Sequence, residues 1–276
     1  KYILTIYEKR VKEKDLPFFS ELMGSLNKNN FKCPIPIINK KKSPISQYKN
    51  KKLMIISFIE GKAKDVLTPE NCKVVGREAA RMHEITKKFK IRRKNDLSIN
   101  SWRKMFNTIK DKCTSIHKDL PKLIEYNLVD VERNWPLNLP GGIIHADLFN
   151  DNIFFKDNIF SGIIDFYFSC NDFYALEIAI CFNALCFDGP QNNLSFNVTK
   201  AKKFIDGYSE IRKLTDEEKK SIKILSQGSA LRFLLTRVFD SLNTVDGAIV
   251  KIKDPMEYLK RLEFHKNSKK FEDYFF

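Results

Sequence analysis

The sequence predicts a two-lobed α+β fold, with a small strand-rich first part joined to a larger, mainly helical second part. Three observations carry this. Residues 53–59 form the strongest strand signal of the first half and end in Glu60-Gly61. Apolar residues at helical spacing fill most of the chain after that glycine. Between the helices, residues 141–172 carry three short apolar runs separated by polar residues. With 276 residues, 43% of them hydrophobic and 12% aromatic, the chain can bury a full core. The lobe boundary is placed at Glu60, giving a partial N-terminal lobe at 1–60 and a second lobe at 61–276.

Taken in order, the chain opens at Lys1 already inside a strand-like run, residues 2–8, and reads as a fragment whose first strands lie upstream. Asp15-Leu16-Pro17 starts a helix along which Phe18, Phe19, Leu22, Met23 and Leu26 recur at helical spacing. Glu21 on this helix either pairs with a lysine or faces solvent. Pro34, Pro36 and Pro44 punctuate a loop and a short strand before residues 53–59. Thr68-Pro69-Glu70 starts the next helix, with Thr68 as cap and Pro69 in the first turn. Residues 87–94 hold six basic side chains in eight and read as a solvated helix end and loop. Two further helices are expected at 101–117 and 118–132, before Pro140-Gly141-Gly142 breaks the pattern. Residues 174–187 are apolar on nearly every face, which predicts a buried helix. Glu177 within it is therefore read as a brace for the preceding loop. Helices at 197–211, 215–243 and 255–266 complete the chain, the second opening with a Thr215–Glu218 capping box.

The net charge of +15 raises the possibility of a nucleic-acid partner. Of the 49 basic residues, 38 are Lys and 11 are Arg, and Asn, Ile and Phe are also plentiful, the profile of an AT-rich coding sequence. The Arg forks and aromatic platforms of nucleic-acid readers are not arranged here, so a solvated lysine-rich surface is expected and no nucleic-acid partner. Residues 1–64 alone hold 15 basic and 5 acidic side chains, a positive field suited to drawing in an anionic ligand. The six cysteines show no CxxC pair and no metal-ligand spacing, which fits free thiols in a reducing cytoplasm. No apolar run reaches membrane-spanning length, so no membrane partner is expected.

The chemistry-bearing residues lie in the interrupted stretch. His145, Asp147 and Asn152 spell H-x-D-x-x-x-x-N, and the pair Asp165-Phe166 comes after a short hairpin. Asn152 enters the first strand of that hairpin and Asp165 leaves the second, so antiparallel pairing brings an amide and a carboxylate to one end. Two oxygen ligands there suit a hard cation such as Mg²⁺. Asp147, on the loop before, is placed to accept the proton of an attacking hydroxyl while His145 braces the loop. This is the polar core of a kinase-type phosphotransferase site. The plain alternative, a hairpin with polar turn residues, has to produce three polar positions at matching offsets by accident. A strand ending in a glycine turn suits the hinge of such a fold, where backbone groups of Ser57, Phe58, Ile59 and Glu60 would meet adenine.

The segments HADLFNDN, IIDFYFSCND and CFNALCF, with the opening YILTIYEKR and DLPFF, resemble the homoserine kinases of the aminoglycoside-phosphotransferase-like, protein-kinase-fold group. The similarity covers nearly the whole chain. HADLFNDN by itself marks only the wider superfamily, which includes aminoglycoside, choline and methylthioribose kinases; the flanking segments point to homoserine. The resemblance implies a cytoplasmic enzyme that moves the ATP γ-phosphate onto the side-chain hydroxyl of L-homoserine in threonine biosynthesis. Carried over by position, Asp147 is the base and Asn152 and Asp165 are the Mg²⁺ ligands. Homoserine also brings a carboxylate and an ammonium, for which Arg232 and Asp172 are the candidates. Two departures stand out: Thr5 occupies the strand position where many kinases of this fold carry a phosphate-binding Lys, leaving Lys9 or another base to replace it, and the glycine-rich phosphate loop would lie upstream of Lys1. The alternatives are a kinase of the same fold with another alcohol substrate, and a kinase-like binding module without activity.

Overall fold

The computed structural model describes residues 1–8, 11–190, 193–243, 253–268 and 270–275. Strand β1 (Tyr2–Ile6) is succeeded by helix α1 (Leu16–Lys28) and by strands β2 (Ile45–Tyr48) and β3 (Lys51–Ser57). The three strands form an antiparallel sheet in the order β1-β3-β2. Apolar alternation places β3 in the middle: Met54 and Ile56 face the core while Ile55 points out. Helix α1 buries Leu16, Phe18, Phe19, Leu22, Met23 and Leu26, the helically spaced set, with Pro17 where no backbone donor is needed. Regular pairing of β1 stops at Ile6, shorter than the predicted strand, although the Tyr7 N–H still reaches the Lys52 carbonyl at 2.9 Å.

Next come β4 (Lys62–Ala63), α2 (Pro69–Thr86), α3 (Ile99–Ile109) and α4 (Leu120–Asn134). The predicted helix at 101–117 is interrupted. Residues 110–115 tighten into a 3₁₀ turn, which carries Cys113 into the core while Lys110, Asp111 and Lys112 stay in solvent. Strands β5 (Gly141–Ile144), β6 (Ile153–Lys156), β7 (Ile159–Ile163) and β8 (Cys170–Phe173) come after these, then helix α5 (Tyr174–Leu185). β4, β6 and β7 make one small antiparallel sheet and β5 with β8 another. Gly61 allows the first of these: its φ is 113° and an added Cβ would sit 2.6 Å from the Phe155 carbonyl oxygen.

The chain ends with β9 (Phe187–Asp188), β10 (Ser195–Phe196), α6 (Val198–Ser209), α7 (Asp216–Asn243) and α8 (Met256–Asn267). α5 is buried on all sides, as its composition predicts, against α7 and β5. The Thr215–Glu218 capping box forms as expected, the Glu218 N–H donating to Thr215 Oγ1 at 3.2 Å and the Thr215 N–H to Glu218 Oε2 at 2.9 Å. Among the described residues no helix is long and apolar enough to cross a membrane. The whole is a small strand-rich part beside a larger helical one, the fold class expected.

Candidate active site

The site is built on the loop that leaves β5. Ile143 and Ile144 are buried, and the strand delivers His145 directly into the core. The His145 Nε2–H donates to the Ile164 carbonyl at 3.0 Å, so Nδ1 is the acceptor and takes the Asp147 N–H at 3.3 Å. Phe166 packs edge-on against the ring at 4.9 Å. Burial pushes the imidazole down to about 4, so it is neutral at physiological pH and acts as a brace.

The two peptide groups that flank the Ala146 Cα are each held by a buried ionisable side chain. Glu177 on α5 accepts the N–H groups of His145 and Ala146, the latter at 3.2 Å to each oxygen. On the other side, Arg232 Nη1 on α7 donates to the Ala146 carbonyl at 2.8 Å. Ala146 itself has φ 65°, a left-handed conformation that an alanine keeps only when its surroundings enforce it. Burial pushes Glu177 up to about 7, against the two N–H donors and Arg232. The brace read from the sequence is therefore present.

Asp147 comes directly after this clamp. Its backbone carbonyl and its Oδ2 accept the Asn152 Nδ2–H at 2.8 and 3.2 Å. Burial pushes the carboxyl up to about 6, with Arg232 pulling it down and Asp165 raising it. The hairpin pairing predicted from sequence is formed: the Ile164 N–H donates to the Asn152 carbonyl at 3.0 Å, which sets Asn152 beside the residue before Asp165. Asp165 is left-handed, with φ 62°, and its carboxylate accepts the Tyr167 N–H. Burial raises its pKa and that N–H opposes the rise. Asn152 turns its amide nitrogen to Asp147, leaving its oxygen for another partner. One amide oxygen and one carboxylate fit a hard cation that takes its remaining ligands from phosphates and water. Among the described residues no group of three or more His, Cys, Asp or Glu could hold a metal ion by itself.

Asp147, Asp165, Tyr167, Arg232 and Phe233 line one cavity of about 670 Å³. Arg232 is 3% exposed, lies 4.6 Å from the Phe233 ring centroid, and has no partner for its Nε–H among the described residues. The structure thus brings Asp147, Asn152, Asp165 and Arg232 together.

It does not bring Asp172 to that cavity. The Asp172 oxygens accept the Asn95 Nδ2–H at 2.7 Å and its neighbour Phe173's N–H at 2.8 Å, and the residue lines a separate cavity beside Gly141 and Gly142. Strand β8 turns the side chain that way, and Cys170-Asn171-Asp172-Phe173 shows no apolar alternation that would predict a strand there. At the predicted hinge, the Ser57 N–H donates to Ile35 and the Phe58 N–H to Lys1, while the Glu60 carbonyl accepts the Ser161 hydroxyl. Ser57, Phe58, Ile59 and Glu60 lie outside the cavity that holds Asp147. Glu21 is exposed, the second of its two readings, and Lys9 lies outside the described residues.

The basic run 87–94 needs a correction. Arg93 is not a solvated side chain: its Nε–H donates to Asp15 at 2.8 Å, its Nη1 to the Ser169 carbonyl at 3.1 Å, and it lies 5.1 Å from the Phe19 centroid. It lines the cavity that holds Asp147, together with Asn95, and the run of neighbouring lysines hides it in the sequence.

Residues 1–213 match the phosphotransferase enzyme family. The chain is 44% identical over 273 residues to a homoserine kinase of Mesorhizobium japonicum, covering 99% of this chain and 84% of the relative. A homoserine kinase of Beijerinckia indica is 44% identical over 264 residues, covering 96% and 81%. Among solved structures, an amicoumacin kinase in complex with AMP-PNP and Ca²⁺ aligns with TM-score 0.70 at 12% identity, covering 98% of this chain and 83% of that one. A choline kinase from Cryptosporidium parvum aligns with TM-score 0.65 at 18% identity, covering 96% and 80%. These two likenesses concern the fold.

Proposed function

The chain belongs to the phosphotransferase enzyme family and to the homoserine kinases within it, and on that premise we propose how its own residues carry the reaction. It transfers the γ-phosphoryl group of ATP to the side-chain hydroxyl of L-homoserine, giving O-phospho-L-homoserine, the step expected in threonine biosynthesis. One observation carries the assignment of roles: Asp147 directly follows Ala146, whose N–H is held by the buried Glu177 and whose carbonyl is held by the buried Arg232, and it opens into a cavity shared with Asp165.

Asp147 takes the hydroxyl proton as the homoserine oxygen forms its bond to phosphorus and the bond between phosphorus and the ADP oxygen breaks. Its elevated pKa, near 6, leaves it ionised at neutral pH yet basic enough to accept that proton. His145 and Glu177 hold the loop and touch no reacting atom. Asn152 and Asp165 would hold Mg²⁺, which when bound with nucleotide phosphates neutralises charge on the transferring group.

Arg232 meets the homoserine carboxylate at the cavity floor. Asp172 is turned to Asn95 beside a separate cavity, so it does not reach the ammonium of a homoserine held at Arg232. Residues 1–60 supply the nucleotide side, with Ser57, Phe58, Ile59 and Glu60 as the adenine-facing stretch, and residues 61–276 the catalytic lobe. A cytoplasmic setting fits the six buried free cysteines.

The test is ADP release with Mg²⁺-ATP and, in parallel, L-homoserine, choline, methylthioribose and an aminoglycoside. Turnover confined to homoserine and lost in Asp147→Asn is expected. Turnover with another alcohol overturns the substrate; turnover that survives Asp147→Asn overturns the base.

A further inference from the structure

Kinases of this fold commonly place a strand lysine against a glutamate of the next helix, and that ion pair is in position when the metal-binding aspartate is. Here the strand position is Thr5 and the helix glutamate, Glu21, is exposed. Thr5 and Tyr7 alternate onto the same face of β1 and its continuation, and both point inward. The Tyr7 hydroxyl donates to the Tyr167 hydroxyl at 2.7 Å, and the two rings meet edge-on at 5.2 Å. The Tyr167 hydroxyl also hydrogen-bonds the Thr5 side chain. On its other side the Tyr167 ring packs edge-on against Phe19 of α1, 5.5 Å between centroids. The same residue's N–H donates to the Asp165 carboxylate. Tyr167 is therefore joined to the strand, to the helix and to Asp165 at once.

Asp165 needs such a fixture. A non-glycine residue with φ 62° sits in a sparsely populated conformation that persists where its surroundings enforce it. Phe166 anchors one side of the turn against His145, and Tyr167 anchors the other.

We propose that the Tyr7–Tyr167 hydroxyl pair, closed by Thr5, positions Asp165, as an uncharged counterpart of the lysine–glutamate pair. The inference rests on the reading of Asp165 as a metal ligand. Burial holds both phenols protonated far above physiological pH, so the link does not titrate in the working range. Tyr7, Tyr167 and Thr5 are positioning residues here and touch no reacting group.

Tyr7→Phe and Tyr167→Phe keep the rings and remove one hydroxyl each. The readout is Mn²⁺ binding by electron paramagnetic resonance, with a non-hydrolysable ATP analogue present. Each variant should weaken Mn²⁺ binding several-fold, because the hydroxyl pair acts on Asp165 only through the Tyr167 backbone N–H that bonds it. The double variant should be no weaker than the worse single one, because both changes break the same bond. In Tyr7→Phe the homoserine KM should stay within about twofold of wild type, since Tyr7 lies outside the cavity lining. Unchanged Mn²⁺ affinity in both variants, or losses that add, overturns the proposal. Asp165→Asn in the same titration separates the two levels: if it leaves Mn²⁺ binding intact, the metal reading fails and this inference with it. If Asp165→Asn abolishes binding while the Phe variants match wild type, only the role of the hydroxyl pair falls. Should Tyr167→Phe not fold, Tyr7→Phe and Thr5→Val test the link singly: each should weaken Mn²⁺ binding, and wild-type affinity in both overturns the proposal.

Discussion

Two connections leave strands in this chain and are held in opposite ways. The loop after β5 runs through the core: His145 meets Ile164 and Ala146 meets Glu177 and Arg232, all on other elements, while Asp147 is tied locally to Asn152. The stretch after β3, Ser57 to Glu60, is held by backbone bonds and by an exposed ion pair between Glu60 and Lys156. The difference teaches where precision is needed. If Asp147 is the base, as proposed, proton transfer depends on the position of that one carboxylate, and its loop is fixed by buried charge and strained backbone; a surface that would meet a ligand through main-chain groups needs only the strand to be there. Substitutions should therefore be severe in the first region and mild in the second.

The largest effect belongs to Asp147. Asp147→Asn keeps the hydrogen-bonded shape and removes the proton acceptor, so kcat should fall by about 10²–10⁴ with both KM values near wild type. In the wild type, kcat/KM should rise with pH through about 6, because only the ionised Asp147 accepts a proton. A profile flat from pH 5 to 8 would remove Asp147 from the role of base.

Glu177 comes next and tests the buried clamp without touching substrate. Glu177→Ala leaves the N–H groups of His145 and Ala146 unpaired in the core and should lower stability by about 2–5 kcal/mol in urea denaturation. A loss below about 1 kcal/mol would mean the loop is held by something else, and the contrast between the two connections would collapse. The pH dependence sharpens the point. Folding raises Glu177 from the ordinary 4.5 to about 7, so the folded state binds this proton more tightly than the unfolded chain does. Its contribution to stability therefore declines as pH rises from 4.5 towards 7, and Glu177→Gln should abolish that decline.

Arg232 joins the clamp to the cavity, so its removal should show both characters. Arg232→Ala should raise the homoserine KM about tenfold or more, with a smaller change in the ATP KM. It should also move the acid limb of kcat/KM to higher pH, because Arg232, more than Lys253, lowers the Asp147 pKa. An unchanged homoserine KM with a shifted limb would assign Arg232 to the loop alone.

These residues differ in how plainly the sequence discloses them. His145, Asp147, Asn152 and Asp165 are legible because their offsets are short and each borders an apolar strand whose pairing brings them together. Glu177 is legible because a carboxylate inside an all-apolar helix must have a buried partner. Arg232 is one of two arginines on the same helix, and nothing in the local pattern separates it from Arg237, which instead pairs with Glu257 at 2.6 Å. Tyr7 and Tyr167 are invisible as a pair: they lie 160 residues apart, and each taken singly is an aromatic at an apolar position. Asp172 is misplaced for the converse reason, since its direction is set by the unpredicted pairing of β8 with β5. Local offsets survive in sequence; contacts fixed by tertiary register do not.

The smallest effect is expected at the second connection and completes the comparison. Lys156→Ala removes the cation that holds Glu60 below its ordinary carboxylate range. Both side chains are exposed, so water and counterions already screen the pair, and the side chains gain freedom when it breaks. Thermal unfolding and the ATP KM should both match wild type within error. The turn itself survives because Gly61 and the β4–β6 pairing hold it, independently of the charge. A clear rise in the ATP KM would show that the Glu60 side chain, and not only the backbone beside it, orders the nucleotide side, and the two connections would then differ in burial but not in function.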